Sequence, residues 1–498
     1  CGVFIATVLL LEGVTASSFK GYAEHARKKT AVPFYIIALC LVVIVIGSIS
    51  GFKIIRARDY SKLIKVDTGD FAKEVSEITF SNIPMLDKSS ANVLANRKLG
   101  ELSDLVSQFE VYRDSYQINY SGKPVRVTYL EYGDFFKWLN NRRQGIPAYL
   151  IIDMVTQEVS VKRTEQGIRY SPSEFFFRKI NRYLRFKYPT LIFHAVNFEI
   201  DDEGNPYWLA TVIDKRVGLF DGEDAKGAVL VNAITGESRY YDIKDVPTWV
   251  DRVYTAQLVL NQYNYYGRLH NGFINSIFGQ KDCTVTTDGY NYIAQDDDVW
   301  IYTGITSVSG DQGNIGFILV NQRTKEARYY SCAGAEENSA ISSAQGAVQQ
   351  FKYNATFPLL LNIQGKPTYF MALKDASQLV KMYAMVNVEQ YQIVAIGSSV
   401  TECAANYEKL LLSNGIIKHT TEAAETSEVS GTITDIRSAV IEGTTHVFLR
   451  LEGSDVYYKV SASAFPAAIL LNNGDNVKIK FAEDKNAITT ATQIEKLG

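Results

Sequence analysis

The sequence predicts an α+β protein with one hydrophobic helix near its start, tandem modules of a helix on an antiparallel sheet, and a small β-barrel at its end. Three observations lead to this prediction. An unbroken apolar run occupies residues 34–46. Helical and alternating stretches then follow one another with short turn motifs between them. Residues 429–498 carry short strand patterns alone.

Residues 31–55 form the predicted transmembrane helix, with lipid contact through residues 33–52. Only Ser48 and Ser50 are polar between residue 34 and Lys53. At about 1.5 Å per residue, this stretch covers a hydrocarbon core of about 30 Å. A buried core helix rarely carries apolar residues on every face over such a length. The sequence therefore predicts membrane lipid as a partner.

Residues 1–30 are interpreted as a truncated apolar segment followed by a basic loop. An apolar run follows Cys1 and ends at residue 11. A lipidated N-terminal cysteine is the alternative, but a polar tether normally follows such a residue. Basic residues flank the hydrophobic helix at 20–29 and at 53–65, so the positive-inside rule is close to a tie. The Tyr-, Thr-, Asn- and Ser-rich composition favours an extracytoplasmic large region.

Length and composition exclude several classes of protein. The 498 residues are enough for three or four domains, and 46% hydrophobic with 21% charged residues is typical of globular chains. Lys plus Arg (51) nearly balance Asp plus Glu (54), so we expect no nucleic-acid partner. No P-loop, GxSxG or GxGxxG occurs at a strand-to-helix junction. We therefore predict no catalytic residues, no cofactor and no cofactor-binding residues.

Cysteine and histidine spacing indicates no metal site. The chain has five cysteines and no CxxC pair. Cys283 and Cys332 are a candidate disulfide, and separately buried thiols are the alternative. His194 and His270 lack an HxxxH partner, so we interpret them as structural.

A turn motif recurs three times along the chain. An apolar strand runs into Asp or Asn, followed by two residues, Thr, one residue and Glu, with copies beginning at Asp153, Asn232 and Asn321. We predict a tight hairpin in which Asp or Asn caps its own turn, the Thr hydroxyl satisfies a loop amide and Glu starts the return strand.

A second element lies upstream of these hairpins. Gly and Pro two residues apart open the following strand at Gly122, Gly204 and Gly365. The Gly is expected to form a reverse turn, and the Pro to start an extended segment. Residues 296–302 are a degenerate version of this element.

Helices are predicted before the strand clusters. Ser171-Pro172-Ser173-Glu174 has the pattern of a capped helix start. Residues 248–265, ended by Gly267, and residues 338–351 are further amphipathic helices. We expect each helix to cover one face of its own sheet. The predicted regions are a connector with one helix in 56–120 and three α+β regions in 121–245, 246–335 and 336–414.

These motifs resemble the PepSY-like family, in which a helix packs on an antiparallel sheet and a strand ends in a D-x-x-T-G-E hairpin. Residues 231–237 and 198–208 are most similar to it, and the resemblance covers residues 122–410. The copies at Asp153 and Asn321 lack the Gly. The resemblance implies a cell-envelope protein or one that restrains peptidases, and it carries over no catalytic residue. The whole chain is similar to membrane-anchored proteins of Gram-positive bacteria.

The end of the chain is predicted to be a linker in 415–428 and a small barrel of OB or SH3-like type in 429–498. The linker is polar and acidic. Five or so short strands need a closed barrel to hide their edges. An OB-fold could bind single strands or sugars, but we expect few exposed aromatic residues, mainly Tyr457 and Tyr458, and no basic groove is evident.

Three charged clusters are candidate binding sites. Residues 296–298 are all Asp, but an EF-hand needs alternate carboxylates and a distal Glu, so a solvated turn is preferred over calcium. Residues 201–203 are acidic and are expected at a hairpin tip. The basic helix in 178–187 suits anionic lipid or wall polymer, and a solvated face is the preferred alternative.

Together these features favour a membrane-anchored, extracytoplasmic scaffold or interaction protein of the bacterial cell envelope, without catalysis and with a protein partner. A regulator or inhibitor of a membrane or secreted peptidase is the first alternative. An enzyme without a recognisable motif is the second.

Overall fold

The computed structural model describes residue 7 and residues 19–77, 83–295, 298–309, 313–417, 426–441, 444–462, 465–482 and 488–497. The chain divides into two units, Cys1–Tyr407 and Glu408–Gly498. The first unit holds four β-sheets, and the second holds a barrel. The α+β class is confirmed.

The helices of the described residues begin with a long apolar one. They are α1 Phe19–Ser50, α2 Lys53–Ser61, α3 Phe71–Glu74, α4 Lys88–Gly100, α5 Phe135–Asn141, α6 Ile180–Lys187, α7 Ala256–Leu269, α8 Glu337–Ala347 and α9 Val400–Ser413. Five begin with a side-chain oxygen that accepts from a first-turn N–H, at Asp70, Asp87, Asp134, Thr255 and Ser399. Such caps satisfy backbone donors that have no partner inside the helix.

The strands are grouped in chain order. They are β1 Val66–Thr68; β2 Phe109–Val111, β3 Tyr116–Tyr120, β4 Lys123–Tyr132, β5 Ile146–Asp153 and β6 Val159–Ile168; β7 Ile192–Ile200, β8 Pro206–Val217, β9 Asp221–Asn232 and β10 Ser238–Asp242; β11 Thr284–Thr286, β12 Asn291–Gln295, β13 Asp298–Ser307, β14 Gly313–Asn321 and β15 Ala327–Ala335; β16 Asn354–Ala355, β17 Leu359–Ile363, β18 Lys366–Lys374, β19 Val380–Asn387 and β20 Val394–Gly397; β21 Thr426–Ile441, β22 Thr444–Leu451, β23 Tyr457–Ser461, β24 Asn476–Ala482 and β25 Ile488–Leu497.

Neighbouring strands in the four sheets are antiparallel, and most of them follow one another along the chain. The first has the order β2-β4-β5-β6, with β3 also on β4, and the second has β10-β9-β8-β7. The third has β1-β15-β14-β13-β11, with β12 on β13, and the fourth has β16-β18-β19-β20, with β17 on β18. Strand β1 is the exception, because it pairs in parallel with β15.

The three predicted hairpin turns are confirmed, and they share one set of hydrogen bonds. The side-chain oxygen of Asp153, Asn232 or Asn321 accepts from the N–H groups two and three residues later at 2.8 to 3.0 Å. The Thr hydroxyl accepts from the Glu N–H at 3.1 to 3.4 Å. The residue before Glu has a φ of 62° to 77° in every copy, whether it is Gly236, Gln157 or Lys325. Two copies therefore hold a non-glycine residue in the left-handed region.

The glycine turns upstream are also confirmed. Ser121 and Gly122 form the two-residue turn between β3 and β4, and Gln364 and Gly365 form the one between β17 and β18. All four residues have a positive φ of 50° to 73°. This is the type I′ geometry, whose twist matches that of the flanking strands. The degenerate version lies partly outside the described residues, because those exclude residues 296 and 297.

Sheets two and three share a core. In β8, Trp208 and Ala210 belong to one apolar cluster with the first sheet, whereas Leu209 belongs to a second cluster with α7 and the third sheet. Successive residues of a strand point to opposite faces, so β8 is buried on both sides. The expectation that each helix covers only its own sheet is therefore wrong for α7.

Two predicted helix boundaries are wrong. The hydroxyl of Ser171 does accept from the N–H of Glu174 at 3.2 Å, but α6 begins only at Ile180. Helix α7 starts after Thr255 rather than at residue 248, and it continues through Gly267 to Leu269. At Gly267 a Cβ atom would lie 2.4 Å from the Thr284 carbonyl oxygen, so glycine is required there for close packing on β11.

The sheets also extend beyond the predicted regions. Strands β2 and β3 pair with β4, so the first sheet begins before residue 121, inside the predicted connector. Two sheets rather than one lie largely within 121–245. The reason is that the Gly122 turn joins β3 and β4 of one sheet. The predicted boundary between residues 120 and 121 separates these two strands.

The second unit contains a closed barrel with the order β21-β22-β23-β25-β24. Strand β21 pairs with both β22 and β24, which closes the ring. A short 3₁₀ turn, Pro466–Leu470, lies between β23 and β24. Buried residues such as Leu449, Val460 and Ile479 fill the interior. Most of the predicted 415–428 linker lies outside the described residues, which exclude 418–425.

Candidate functional site

A cavity of about 370 Å³ lies in the first unit, between the first sheet, β12 and the fourth sheet. Its walls come from eight separate segments of the chain. The lining residues are Pro84, Met85, Leu86, Asp87, Lys88, Asp114, Ser115, Tyr116, Arg126, Met154, Arg252, Tyr290, Asn291, Tyr292, Thr356, Phe357, Leu359, Phe370 and Ala372. This volume is at the lower end of the range for small-molecule sites.

The lining residues of the cavity differ in exposure. Arg126 is 6% exposed, and Leu359 and Phe370 are buried. Lys88 and Tyr290 are exposed. A ligand in this cavity would therefore contact both buried and exposed lining residues.

Arg126 is a buried cation without a carboxylate partner. Within the described residues its guanidinium donates only to neutral groups at long distances: the Ser115 carbonyl and hydroxyl oxygens at 3.4 Å and Gln117 Oε1 at 3.5 Å. Its Nε has no hydrogen-bond partner there. Burial and the nearby positive charge of Arg252 lower the pKa of Arg126 to about 10, against the opposing effects of Tyr292 and of the more distant Asp87 carboxylate. A buried charge that is not neutralised is costly.

Arg252 is the second cation of the cavity. It donates to the Tyr292 hydroxyl at 2.7 Å, and its guanidinium carbon lies 4.8 Å from the Tyr292 ring centroid and 6.0 Å from that of Tyr116. Its Nε has no hydrogen-bond partner among the described residues. The two tyrosine rings therefore orient this guanidinium by cation–π contact.

The two carboxylates of the cavity are already paired with lysines. Asp87 lies 2.8 Å from Lys374 Nζ, and Asp114 lies 2.6 Å from Lys88 Nζ. These pairs balance their own charges. The two arginines therefore carry the positive charge that the lining carboxylates leave uncompensated.

Glu199 is a buried carboxylate whose charge acts on Arg252. Its Oε2 accepts from the Asp251 N–H at 3.1 Å. Burial raises the pKa of Glu199 to about 7, although that hydrogen bond and Arg252 oppose the shift. Asp251 in turn accepts from the Asn119 N–H at 2.6 Å. This group ties the segment before α7 to β3, a wall of the cavity.

The base of α1 is a second feature of interest. The Phe220 ring, in the turn between β8 and β9, lies so close to Gly47 that a Cβ atom there would be 2.2 Å from it. The Leu219 N–H donates to the Ser50 hydroxyl at 3.2 Å, and the Tyr60 hydroxyl donates to the Gly51 carbonyl at 2.9 Å. The end of α1 is therefore packed against the β8–β9 turn and α2.

Large apolar side chains surround this base, and we call them the apolar rim. They are Phe52, Ile54, Ile55, Leu219, Phe220, Ile274, Ile277 and Phe278, all at least 42% exposed. The segment 274–278 follows Phe273, which packs with Ala57 and Tyr60 of α2. Exposed apolar patches of this kind mark contact with another protein or with a membrane.

The acidic clusters singled out in the sequence form turns and pairs. Asp201 accepts from the Asn205 N–H at 2.7 Å and from its side chain at 2.9 Å, so the predicted hairpin tip is confirmed. Asp298 is buried and paired with Arg323 at 2.6 Å. Across the residues that the structure describes, no group of three His, Cys, Asp or Glu side chains is arranged to hold a metal ion.

The other candidate side chains also have local roles. His194 lies 3.5 Å from Glu223, and His270 stacks on Tyr266. Cys283 and Cys332 are both buried free thiols, so the disulfide alternative is wrong.

On the basic α6, Arg185 donates to the Leu191 carbonyl and Lys187 to the Tyr183 hydroxyl. In the barrel, Tyr458 is buried, which corrects the expectation that it is exposed, and Tyr457 lies beside Arg437 and Arg450.

Sequence reasoning missed the cavity. Arg126 stands between Val125 and Val127 in a strand that is buried from Val125 to Leu130. A lone cation inside an apolar strand is a usable signal, because such a residue rarely becomes fully buried without a reason. Nothing local marked Arg252 as its neighbour.

Comparison with known proteins adds little. No protein-family model and no curated protein matches the chain. Two crystal forms of an ACO/RPE65 chimera, monoclinic and trigonal, match at 10% identity, with TM-scores of 0.15 and 0.16. The matches cover 78% and 79% of this chain and 62% and 67% of those chains. The chain thus spans less than two thirds of the first of them, and scores this low carry no argument about fold or activity.

Proposed function

We propose that this protein is a membrane-anchored scaffold or interaction protein of the bacterial cell envelope, with its large region outside the cytoplasm and without catalysis of its own. The observation that carries the proposal is the base of α1, where an apolar helix and the apolar rim meet. Residues 33–52 would contact lipid, and the sheets would face a protein partner.

The exposure of α1 supports a membrane position. Among the described residues, one helix, Ala31–Ser50, is long and apolar enough to cross a membrane. Its side chains are largely exposed, as at Leu39, Val42 and Ile46. Water would order around so many apolar groups, whereas lipid would not.

The apolar rim supports the same position independently of the helix. Gly47 lies three residues before Ser50, so the contact with Phe220 is about 4.5 Å inside the apolar stretch. The β8–β9 turn, which packs at this depth, would therefore enter the interfacial region of the bilayer. Arg56 Nε donates to the Ser50 carbonyl at 3.3 Å, which places a cation at the end of the helix, where headgroups would lie.

We further propose that the tandem sheets of residues 122–410 are PepSY-like modules and that the barrel is of the OB type. The shared hydrogen bonds of the turns at Asp153, Asn232 and Asn321 support the first idea. The strand order of the closed barrel, with a 3₁₀ turn between its third and fourth strands, supports the second. Modules of this kind present sheet edges and Tyr-rich faces to partners.

Membrane fractions of cells that express the full chain test anchorage and sidedness. We expect the chain to resist alkaline carbonate extraction, and the region after Lys53 to be cut by protease added to intact cells. Release by carbonate would show that α1 is not a membrane span, as for a signal-like segment. Protection in intact cells with cleavage after lysis would place the large region in the cytoplasm.

Purification from solubilised membranes separates the alternative roles. Recovery of structural envelope proteins would support a scaffold. Recovery of a peptidase whose activity falls in the presence of the chain would favour the regulator. Conversion of a substrate by the purified chain alone would favour the enzyme alternative.

A further inference from the structure

We propose that the cavity containing Arg126 and Arg252 binds the carboxylate of a small ligand with an apolar or aromatic body. The chemical class includes the C-terminal residue of a peptide and free N-acylated amino acids. The proposal goes beyond the role of an anchored interaction protein, and it stands or falls independently of the side of the membrane.

The first step of the argument is the state of Arg126. Its side chain lines the cavity, is 6% exposed and contacts neutral acceptors only, at 3.4 to 3.5 Å, within the described residues. Its Nε–H is without a partner there. An arginine held in this way lacks the anion that would complete its hydrogen bonds.

The second step concerns the charge of the ligand. Asp87 and Asp114 are paired with Lys374 and Lys88, and Glu199 faces Arg252. Arg126 has no carboxylate within ion-pair distance among the described residues, and only the more distant carboxylate of Asp87 acts on it. A singly charged carboxylate balances the charge of Arg126 and matches the fork of a guanidinium. A phosphate dianion would bring one negative charge too many.

The third step concerns the body of the ligand. Met154, Leu359 and Phe370 line the cavity near Arg126, and Tyr116 and Phe357 add aromatic surface. About 370 Å³ has room for a group the size of one amino-acid residue rather than for a long chain. Apolar walls with few polar anchors are typical of small-molecule sites.

Titration calorimetry on the full chain in detergent micelles tests the proposal. The probes are N-acetylphenylalanine and N-acetylleucine, with their neutral C-terminal amides as matched controls and phenyl phosphate as the competing anion. We expect at least one carboxylate to bind, its amide to bind about 10- to 100-fold more weakly, and phenyl phosphate not to bind more tightly. The tripeptide Gly-Gly-Phe with a free C-terminus then distinguishes a peptide end from a free acid as the better ligand.

Substitutions locate the binding. Arg126→Met should weaken the carboxylate about 10- to 100-fold. Arg163→Met is the control, because Arg163 lies on β6 of the same sheet and is exposed beside Asp104. It should leave affinity unchanged. Should Arg126→Met fail to fold, Arg126→Gln serves in its place, with folding checked by tryptophan fluorescence.

Three results would each overturn the proposal. The first is that none of the carboxylates binds at millimolar concentration. The second is that amide and carboxylate bind equally well, because the charge would then be irrelevant. The third is that the folded Arg126 variant binds the carboxylate as tightly as the original chain does, which would place the ligand elsewhere.

Discussion

Replacing Arg126 with methionine should stabilise the first unit, because it removes a buried charge that nothing neutralises. Burial lowers the pKa of this group well below its ordinary value, to about 10. Since a tenfold change in proton affinity is worth about 1.4 kcal/mol, the folded state bears a penalty of about 3 kcal/mol for the charge. Both pKa values lie well above 7, so the penalty is constant at neutral pH and is relieved only as the pH rises through about 10.

The contacts that are lost offset part of this gain. The bonds to Ser115 and Gln117 are long, at 3.4 to 3.5 Å, so their loss should cost about 1 kcal/mol in total. Methionine has a similar volume and tolerates irregular apolar surroundings. We therefore expect the free energy of unfolding to rise by about 2 kcal/mol.

Urea unfolding followed by tryptophan fluorescence measures this change. All four tryptophans, Trp138, Trp208, Trp249 and Trp300, lie in the first unit, so the signal reports that unit alone. The control Arg163→Met should change the free energy by no more than about 0.5 kcal/mol. A fall of about 2 kcal/mol or more in Arg126→Met would refute the reasoning, because Arg126 would then be a structural anchor.

Further substitutions test other parts of the fold by the same fluorescence measurement. Gln157→Gly should be more stable than Gln157→Ala by about 0.5 to 1 kcal/mol, because both lose the amide but only glycine relieves the positive φ of 62°; equal stabilities would show that the turn is unstrained. Lys325→Met should cost about 2 kcal/mol, because it leaves the half-buried Asp224, 2.6 Å from Lys325 Nζ, without its cation and with only the Gln262 amide and the Ala225 N–H as donors; a loss below about 1 kcal/mol would show that the pair is well solvated. Glu199 has a pKa of about 7 in the folded chain and releases its proton near 4.5 in the unfolded chain. Its contribution to the free energy of unfolding is therefore fully present below about pH 4.5 and is lost as the pH rises through about 7. Glu199→Gln should thus stabilise the unit by up to about 3 kcal/mol at pH 8 and by little at pH 5. An equal effect at both pH values would contradict the raised pKa of Glu199.

Local patterns in the sequence predicted the parts of the fold that short-range interactions decide. The turns at Asp153, Asn232 and Asn321 complete their hydrogen bonds within six residues, so the motif alone is sufficient. The apolar run predicted at 33–52 agrees closely with the candidate span Ala31–Ser50, because its extent depends on composition.

Long-range contacts account for what the sequence did not reveal. Glu174 was expected to cap a helix, but it accepts from the Tyr132 hydroxyl and from Trp138 Nε1 at 2.8 Å, across about forty residues. Burial raises the pKa of Glu174, although these bonds oppose the shift. The cavity is a product of the same kind of contact, since Arg126 and Arg252 come from separate segments. No pattern within one segment identifies such a site.

Membrane contact at the base of α1 is the central claim, and lipid quenching of one introduced tryptophan tests it most directly. Phe220→Trp in the full chain would be placed in vesicles whose lipids carry bromine near the glycerol end of the acyl chains. Glu203→Trp is the matched control, because it lies at the opposite end of β8, a strand of twelve residues that spans roughly 35 to 40 Å. The proposal predicts strong added quenching for Phe220→Trp and none for Glu203→Trp, relative to the native tryptophans. Equal quenching of the two variants, or none in either, would contradict it.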